Sequence, residues 1–77
     1  MEAFKENEIR YAVNCISKDI ILLLMEEKDM SMEEAMQLFF HSNTFAKLQD
    51  VKTGLVFQSY LYVYSFLENE MKYGMNR

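Results

Sequence analysis

The sequence predicts an all-α fold, a small domain of three or four helices over residues 1–77, and three observations lead to this prediction. The chain contains no proline and only two glycines, so little in it interrupts a helix. Its apolar residues recur at spacings of three and four over long segments. The hydrophobic share of 51% is too high for a disordered chain. A chain of 77 residues has room for one domain.

The first predicted helix runs from about Ala3 to Lys28. Its core-facing stripe, spaced by four, three, four and three residues, consists of Ile9, Val13, Ile16, Ile20 and Leu23, with Ala12 and Leu24 at its edges. At about 100° per residue these side chains share one narrow sector of the helix. The charged residues 26–29 end the helix.

Ser31 begins the second predicted helix. Glu34 follows three residues later, and this spacing is typical of a capping box, in which each side chain bonds a backbone N–H of the other residue. The apolar face of this helix consists of Met32, Ala35, Met36, Phe39 and Phe40. The helix is expected to stop near residues 41–43.

Residues 44–57 are compatible with two structures. Phe45, Ala46 and Leu48 could lie on a short third helix. Alternatively, residues 47–49 and the β-prone residues 55–57 form a short hairpin around a turn at residues 50–54. In both cases Gly54 suits a turn position with positive φ.

The last predicted helix covers Tyr60 to Tyr73, with Ser59 as its N-cap and Gly74 as a left-handed residue that ends it. One face of this helix consists of Tyr60, Val63, Tyr64, Leu67 and Met71. A small domain uses one such face for its core.

Two of the helices carry a second apolar row. On the first helix the row consists of Phe4, Tyr11, Cys15 and Leu22, and on the last helix of Tyr62, Phe66 and Tyr73. The first helix could be central and covered on both sides, which would bury one row. The alternative is that one row binds a partner, because Tyr, Phe and Met are enriched at interface cores. The candidate partner-binding residues are therefore Phe4, Tyr11, Leu22, Tyr62, Phe66 and Tyr73.

Charge and motifs exclude several classes of function. The formal charge of −4 argues against a protein that neutralises nucleic-acid phosphates. The longest apolar run, residues 20–25, is far shorter than the ~20 residues of a membrane span. Neither a signal sequence nor a disulfide pair is present, which predicts a cytoplasmic location. No phosphate loop, zinc spacing or calcium loop occurs, so we expect no cofactor and no metal.

Cys15 and His41 are the one candidate nucleophile and base. No third group or glycine-rich oxyanion loop accompanies them. Cys15 lies mid-helix among apolar residues and is predicted to be a buried, inert thiol. His41 at a helix C-terminus is explained by the helix dipole. The sequence therefore predicts a protein that is not an enzyme.

The segments Tyr11–Ile16, Ser31–Ala35 and Tyr62–Tyr64 resemble a group of short bacterial helical proteins of unknown function. Members of this group often lie beside a larger ADP-ribosyltransferase-like protein, in a toxin–antitoxin-like arrangement. Many carry a His-Thr dipeptide before the last helix, where this chain has Phe57-Gln58. The resemblance implies an antitoxin-like or accessory subunit and carries no catalytic residue.

The expected function is therefore a small protein–protein interaction module that binds a larger partner protein. The alternative is a homodimeric transcriptional regulator or scaffold. In both cases the expected occupant of the apolar surface is a protein chain, either a different one or a second copy of this one.

Overall fold

The structure, a computed structural model, describes residues 6–73, and the all-α prediction is confirmed within this range. Four helices are present, α1 (Glu6–Glu27), α2 (Met32–Phe40), α3 (Asn43–Gln49) and α4 (Tyr60–Tyr73). Two 3₁₀ turns, Val51–Thr53 and Leu55–Phe57, connect α3 to α4. The predicted helix start near Ala3, the candidate residue Phe4 and the predicted cap Gly74 lie outside the described residues.

The core lies where α1 meets the other three helices. Its largest fully buried side chains are Phe39, Ile20, Leu24, Leu48, Leu67 and Val63, which come from all four helices. The short turn before α4 adds Leu55 and Val56 to the same cluster. Each helix therefore buries one side against a single shared core.

The buried face of α1 is wider than the predicted stripe. Val13 and Ile20 are buried as expected, and Ile9, Ile16 and Leu23 pack against the core while remaining partly exposed. Ser17 and Ile21, on the side of the helix toward α2, are buried as well. The difference arises because α2 packs along α1 and covers this flank.

Side-chain caps define the start of each later helix. Ser31 and Glu34 form the predicted capping box, with bonds of 3.0 and 3.1 Å. The Ser42 hydroxyl accepts a hydrogen bond from the Phe45 amide at 3.0 Å and begins α3. The Ser59 hydroxyl accepts one from the Tyr62 amide at 3.3 Å, which confirms Ser59 as a cap of α4.

The predicted alternative of a β-hairpin at residues 47–57 is wrong, since the region contains α3 and two 3₁₀ turns and no strand occurs within residues 6–73. The amides that a hairpin would pair across two strands bond locally instead. The Gly54 amide donates to Val51 and the Phe57 amide to Gly54, at 3.0 and 3.1 Å. Gly54 has a φ of +78°, as the turn prediction expected.

No helix in the described part of the chain has both the length and the apolar character needed to cross a membrane.

Candidate protein-binding surfaces

An open, largely apolar groove lies between α1 and α2. Its volume is about 260 Å³. We call it the α1–α2 groove, and its lining consists of Asn14, Ser17, Lys18, Ile21, Leu22, Met32, Met36 and Phe40. Met32, Met36 and Phe40 follow one another at intervals of four residues, so they form one row along α2. Each of them, like Leu22 across the groove, is between 40% and 55% exposed.

The outer side of α1 continues this apolar surface toward the start of the helix. Tyr11, Cys15, Lys18 and Leu22 are spaced by four, three and four residues and form one row, which we call the α1 ridge. Tyr11 is 71% exposed. A side-chain hydrogen bond with Cys15 raises the pKa of Tyr11 above its usual value, and the negative charge of Cys15 in its thiolate form and slight burial act in the same direction. The α1 ridge shares Lys18 and Leu22 with the α1–α2 groove.

A second exposed row lies on α4 and consists of Tyr62, Phe66 and Tyr73, which we call the α4 ridge. The Tyr62 and Phe66 rings are in contact, with centroids 5.2 Å apart and planes inclined by 52°. Tyr73 is 70% exposed, and the Lys72 ammonium lies 5.9 Å from its ring centroid. Because Val63 and Leu67 on the other side of α4 are fully buried, Tyr62 and Tyr73 of the α4 ridge point away from the core, and Phe66 lies partly buried between them.

The structure therefore separates the sequence-predicted partner residues into three groups. Tyr11, Leu22, Tyr62 and Tyr73 are exposed. Phe66 is half-buried and packs against the core beneath Tyr62. Phe4 lies outside the described residues. The possibility that α1 is covered on both sides does not hold for its described part, since the outer row that begins at Tyr11 is exposed.

The exposed row of α2 is absent from the predicted partner residues, because the sequence pattern places Met32, Met36 and Phe40 on one core-facing side with Ala35 and Phe39. Only Ala35 and Phe39 are buried. A signal was present in the sequence, since a nine-residue helix with six apolar residues has more apolar surface than one core contact can use. Met32, Met36 and Phe40 also lie at an interval of four, which separates them from Ala35 and Phe39.

The prediction that Cys15 is buried is wrong. Its side chain is exposed on the α1 ridge, because the core-facing side of α1 is rotated away from it toward Ser17 and Ile21. The His41 ring is exposed at the end of α2, where its Nδ1 donates a hydrogen bond to the Gln37 carbonyl oxygen at 2.8 Å. That hydrogen bond explains why His41 lies at the C-terminus of α2, where carbonyl oxygens lack partners within the helix. The described contacts of Cys15 and His41 do not join them to each other or to a third catalytic group.

Two further depressions lie elsewhere on the described surface. Within residues 6–73 there is no group of three or more His, Cys, Asp and Glu residues that could hold a metal ion. A depression of mixed polarity between Lys28, just after α1, and α4 contains the ion pair of Lys28 and Glu68, at 3.4 Å. An open depression beside Phe57 is lined mainly by apolar side chains of α1 and the second 3₁₀ turn.

Comparison with known proteins identifies no relative, since no family model, curated protein or solved structure matches this chain. The resemblance to the toxin–antitoxin-like group stays a hypothesis.

Proposed function

We propose that this chain is a small protein–protein interaction module and that its α4 ridge binds a larger partner protein. One observation carries the proposal. Ten large apolar side chains are exposed in the described part of the chain, against twelve hydrophobic residues in the buried core. Seven of those ten lie on the α1 ridge, the α4 ridge or the α2 row, so they are grouped on three helix faces and are not scattered singly.

The composition of the α4 ridge favours a protein as its partner. Tyrosine presents a large, stiff apolar ring with a hydroxyl at its tip, and it is among the residues that dominate binding energy at interfaces. The contact between Tyr62 and Phe66 fixes the orientation of the Tyr62 ring in advance. Lys72 and Asn69 beside the ridge are exposed and supply a polar rim. An antitoxin-like subunit is the narrower form of this proposal.

Differential affinity capture tests the proposal with three baits. The wild-type chain is compared with the double variant Tyr62→Ser/Tyr73→Ser and with Tyr11→Ser, which removes an equally exposed tyrosine from the other surface. We expect the wild type and Tyr11→Ser each to capture one protein in near-stoichiometric amount. The double variant is expected to capture at least tenfold less of it. All three baits are first shown to be folded by circular dichroism.

Two results would contradict the proposal. Loss of the protein with Tyr11→Ser alone would place the partner on the α1 ridge. Equal capture by all three baits would show that neither tyrosine row takes part.

The second candidate function, a homodimeric scaffold or regulator, is favoured by a different observation, namely the second apolar surface at the α1–α2 groove. The net charge of −4 favours the scaffold over the DNA-binding regulator.

A further inference from the structure

We infer that the α1–α2 groove, with the adjoining α1 ridge, is the face on which a second copy of this chain docks to form a two-fold dimer. This inference goes beyond the proposed partner site, because it concerns different helices and different side chains. Either proposal can fail while the other stands.

The shape of the groove favours a protein surface over a small ligand. Its volume of about 260 Å³ is below the ~300–1,000 Å³ of most small-molecule sites, and it is open to solvent. The floor and banks are mostly apolar, and two of the exposed residues are methionines, whose flexible side chains adapt to a facing surface. Side chains from another chain can fill such a groove where a compact ligand would remain largely exposed.

The amount of exposed surface fits a dimer. Five side chains on this face, namely Tyr11, Leu22, Met32, Met36 and Phe40, are between 40% and 71% exposed. Even at the roughly 250 Å² of a large aromatic side chain, these fractions leave at most about 640 Å² of exposed side-chain area. The polar side chains that border it, Asn14 and Lys18 among them, bring the face toward the ~800 Å² per partner of a standard interface.

The charges at the two banks make the groove complementary to itself. On the α1 bank the charged lining residue is Lys18. On α2 the neighbouring charged residue is Glu33, which does not line the groove itself but is exposed at its outer edge. At about 100° per residue it lies beyond the row of Met36 and Phe40, on the side away from α1, where it lines an adjoining depression. A two-fold axis along the groove places the basic bank of each copy against the acidic bank of the other. A partner whose facing surface carried charges of only one sign would meet a like charge at one bank, at either Lys18 or Glu33.

Sedimentation equilibrium over a wide range of protein concentration tests the inference, with circular dichroism to show that each variant is folded. The wild type is expected to approach twice its 9.2 kDa mass as concentration rises. Met36→Glu, which places a carboxylate in the groove, is expected to weaken the dimer at least tenfold. The α4 double variant Tyr62→Ser/Tyr73→Ser is the matched control and is expected to dimerise like the wild type.

A charge exchange tests the orientation of the two copies. Lys18→Glu and Glu33→Lys are each expected to weaken the dimer several-fold, because like charges then face each other. The variant that carries both changes is expected to recover the wild-type dissociation constant. A wild type that stays monomeric at all concentrations, or a dimer that Met36→Glu leaves intact, would overturn the inference. A dimer broken by the α4 variant alone would overturn it as well.

Discussion

The Glu70 carboxylate in α4 accepts hydrogen bonds from both the backbone amide and the hydroxyl of Thr44 in α3, at 2.9 and 2.7 Å, through the same oxygen. Its second oxygen accepts one from the Asn43 amide at 2.7 Å. The amides at a helix start have no partner within the helix. A side chain 26 residues away in the sequence thus caps α3 and fixes it against α4.

Glu70→Gln is expected to lower the free energy of unfolding by about 1–3 kcal/mol, because the amide group loses the negative charge and one of two acceptor atoms. Urea denaturation followed by circular dichroism measures the change. Glu68→Gln is the control in the same helix. Glu68 forms an exposed ion pair with Lys28 and is expected to contribute no more than about 1 kcal/mol. Equal effects of the two changes would show that Glu70 is not a cap.

The neighbours Phe39 and Phe40 are expected to respond very differently to truncation. Phe39 is fully buried, and Phe39→Ala removes about 3–5 kcal/mol, which is close to the whole stability of a domain this small. Phe40→Ala is expected to cost about 1 kcal/mol, for its ring contacts with Phe39 and Phe45. Circular dichroism is measured at low concentration, where a dimer is dissociated. Phe39→Ala is expected to be unfolded and Phe40→Ala to be folded. Two folded variants would contradict the assignment of Phe39 to the core.

Tyr64 is expected to make stability depend on pH in the alkaline range. Burial, followed by the charges of Glu68 and Glu27, raises the pKa of Tyr64 above 10.0. Because the folded state holds this proton more tightly, the contribution to stability is complete below the unfolded pKa of 10.0 and is lost as pH rises through the folded pKa.

Tyr64→Phe removes this ionisation and is expected to make the alkaline loss of stability shallower. At neutral pH the variant is expected to match or exceed the wild type by up to about 1 kcal/mol, since the buried hydroxyl has no hydrogen-bond partner among the described residues. Urea denaturation at neutral and alkaline pH measures both effects, with the exposed Tyr73→Phe as control. A marked loss of stability at neutral pH would show that the hydroxyl is bonded after all.

Much of the fold is predictable from local signals in the sequence. The spacing of Ser31 and Glu34 identifies the start of α2, and the buried face of α4 follows from apolar residues at intervals of three and four. Residues 50–57 are harder to predict, because the β-prone run at Leu55 is held in a 3₁₀ turn by its tertiary contacts. There Leu55 and Val56 complete the core formed by the helices.

The candidate surfaces are predictable only in part. Exposure of Tyr11, Leu22, Tyr62 and Tyr73 follows from their angle to the main apolar stripe of each helix. The angular position of a residue does not show which flank a neighbouring helix covers. For this reason the sequence could not reveal that Ser17 and Ile21 are buried on the flank of α1 that α2 covers.

The measurement that tests the central claim most directly is the free energy of unfolding of the Tyr62→Ser/Tyr73→Ser variant. If the α4 ridge serves binding, the fold does not depend on it, and the variant is expected to unfold cooperatively within about 1 kcal/mol of the wild type. Val63→Ser, a change at the fully buried neighbour of Tyr62, is the control and is expected to unfold the chain. A loss of several kcal/mol in the ridge variant would show that these tyrosines belong to the core, and would contradict the proposed function.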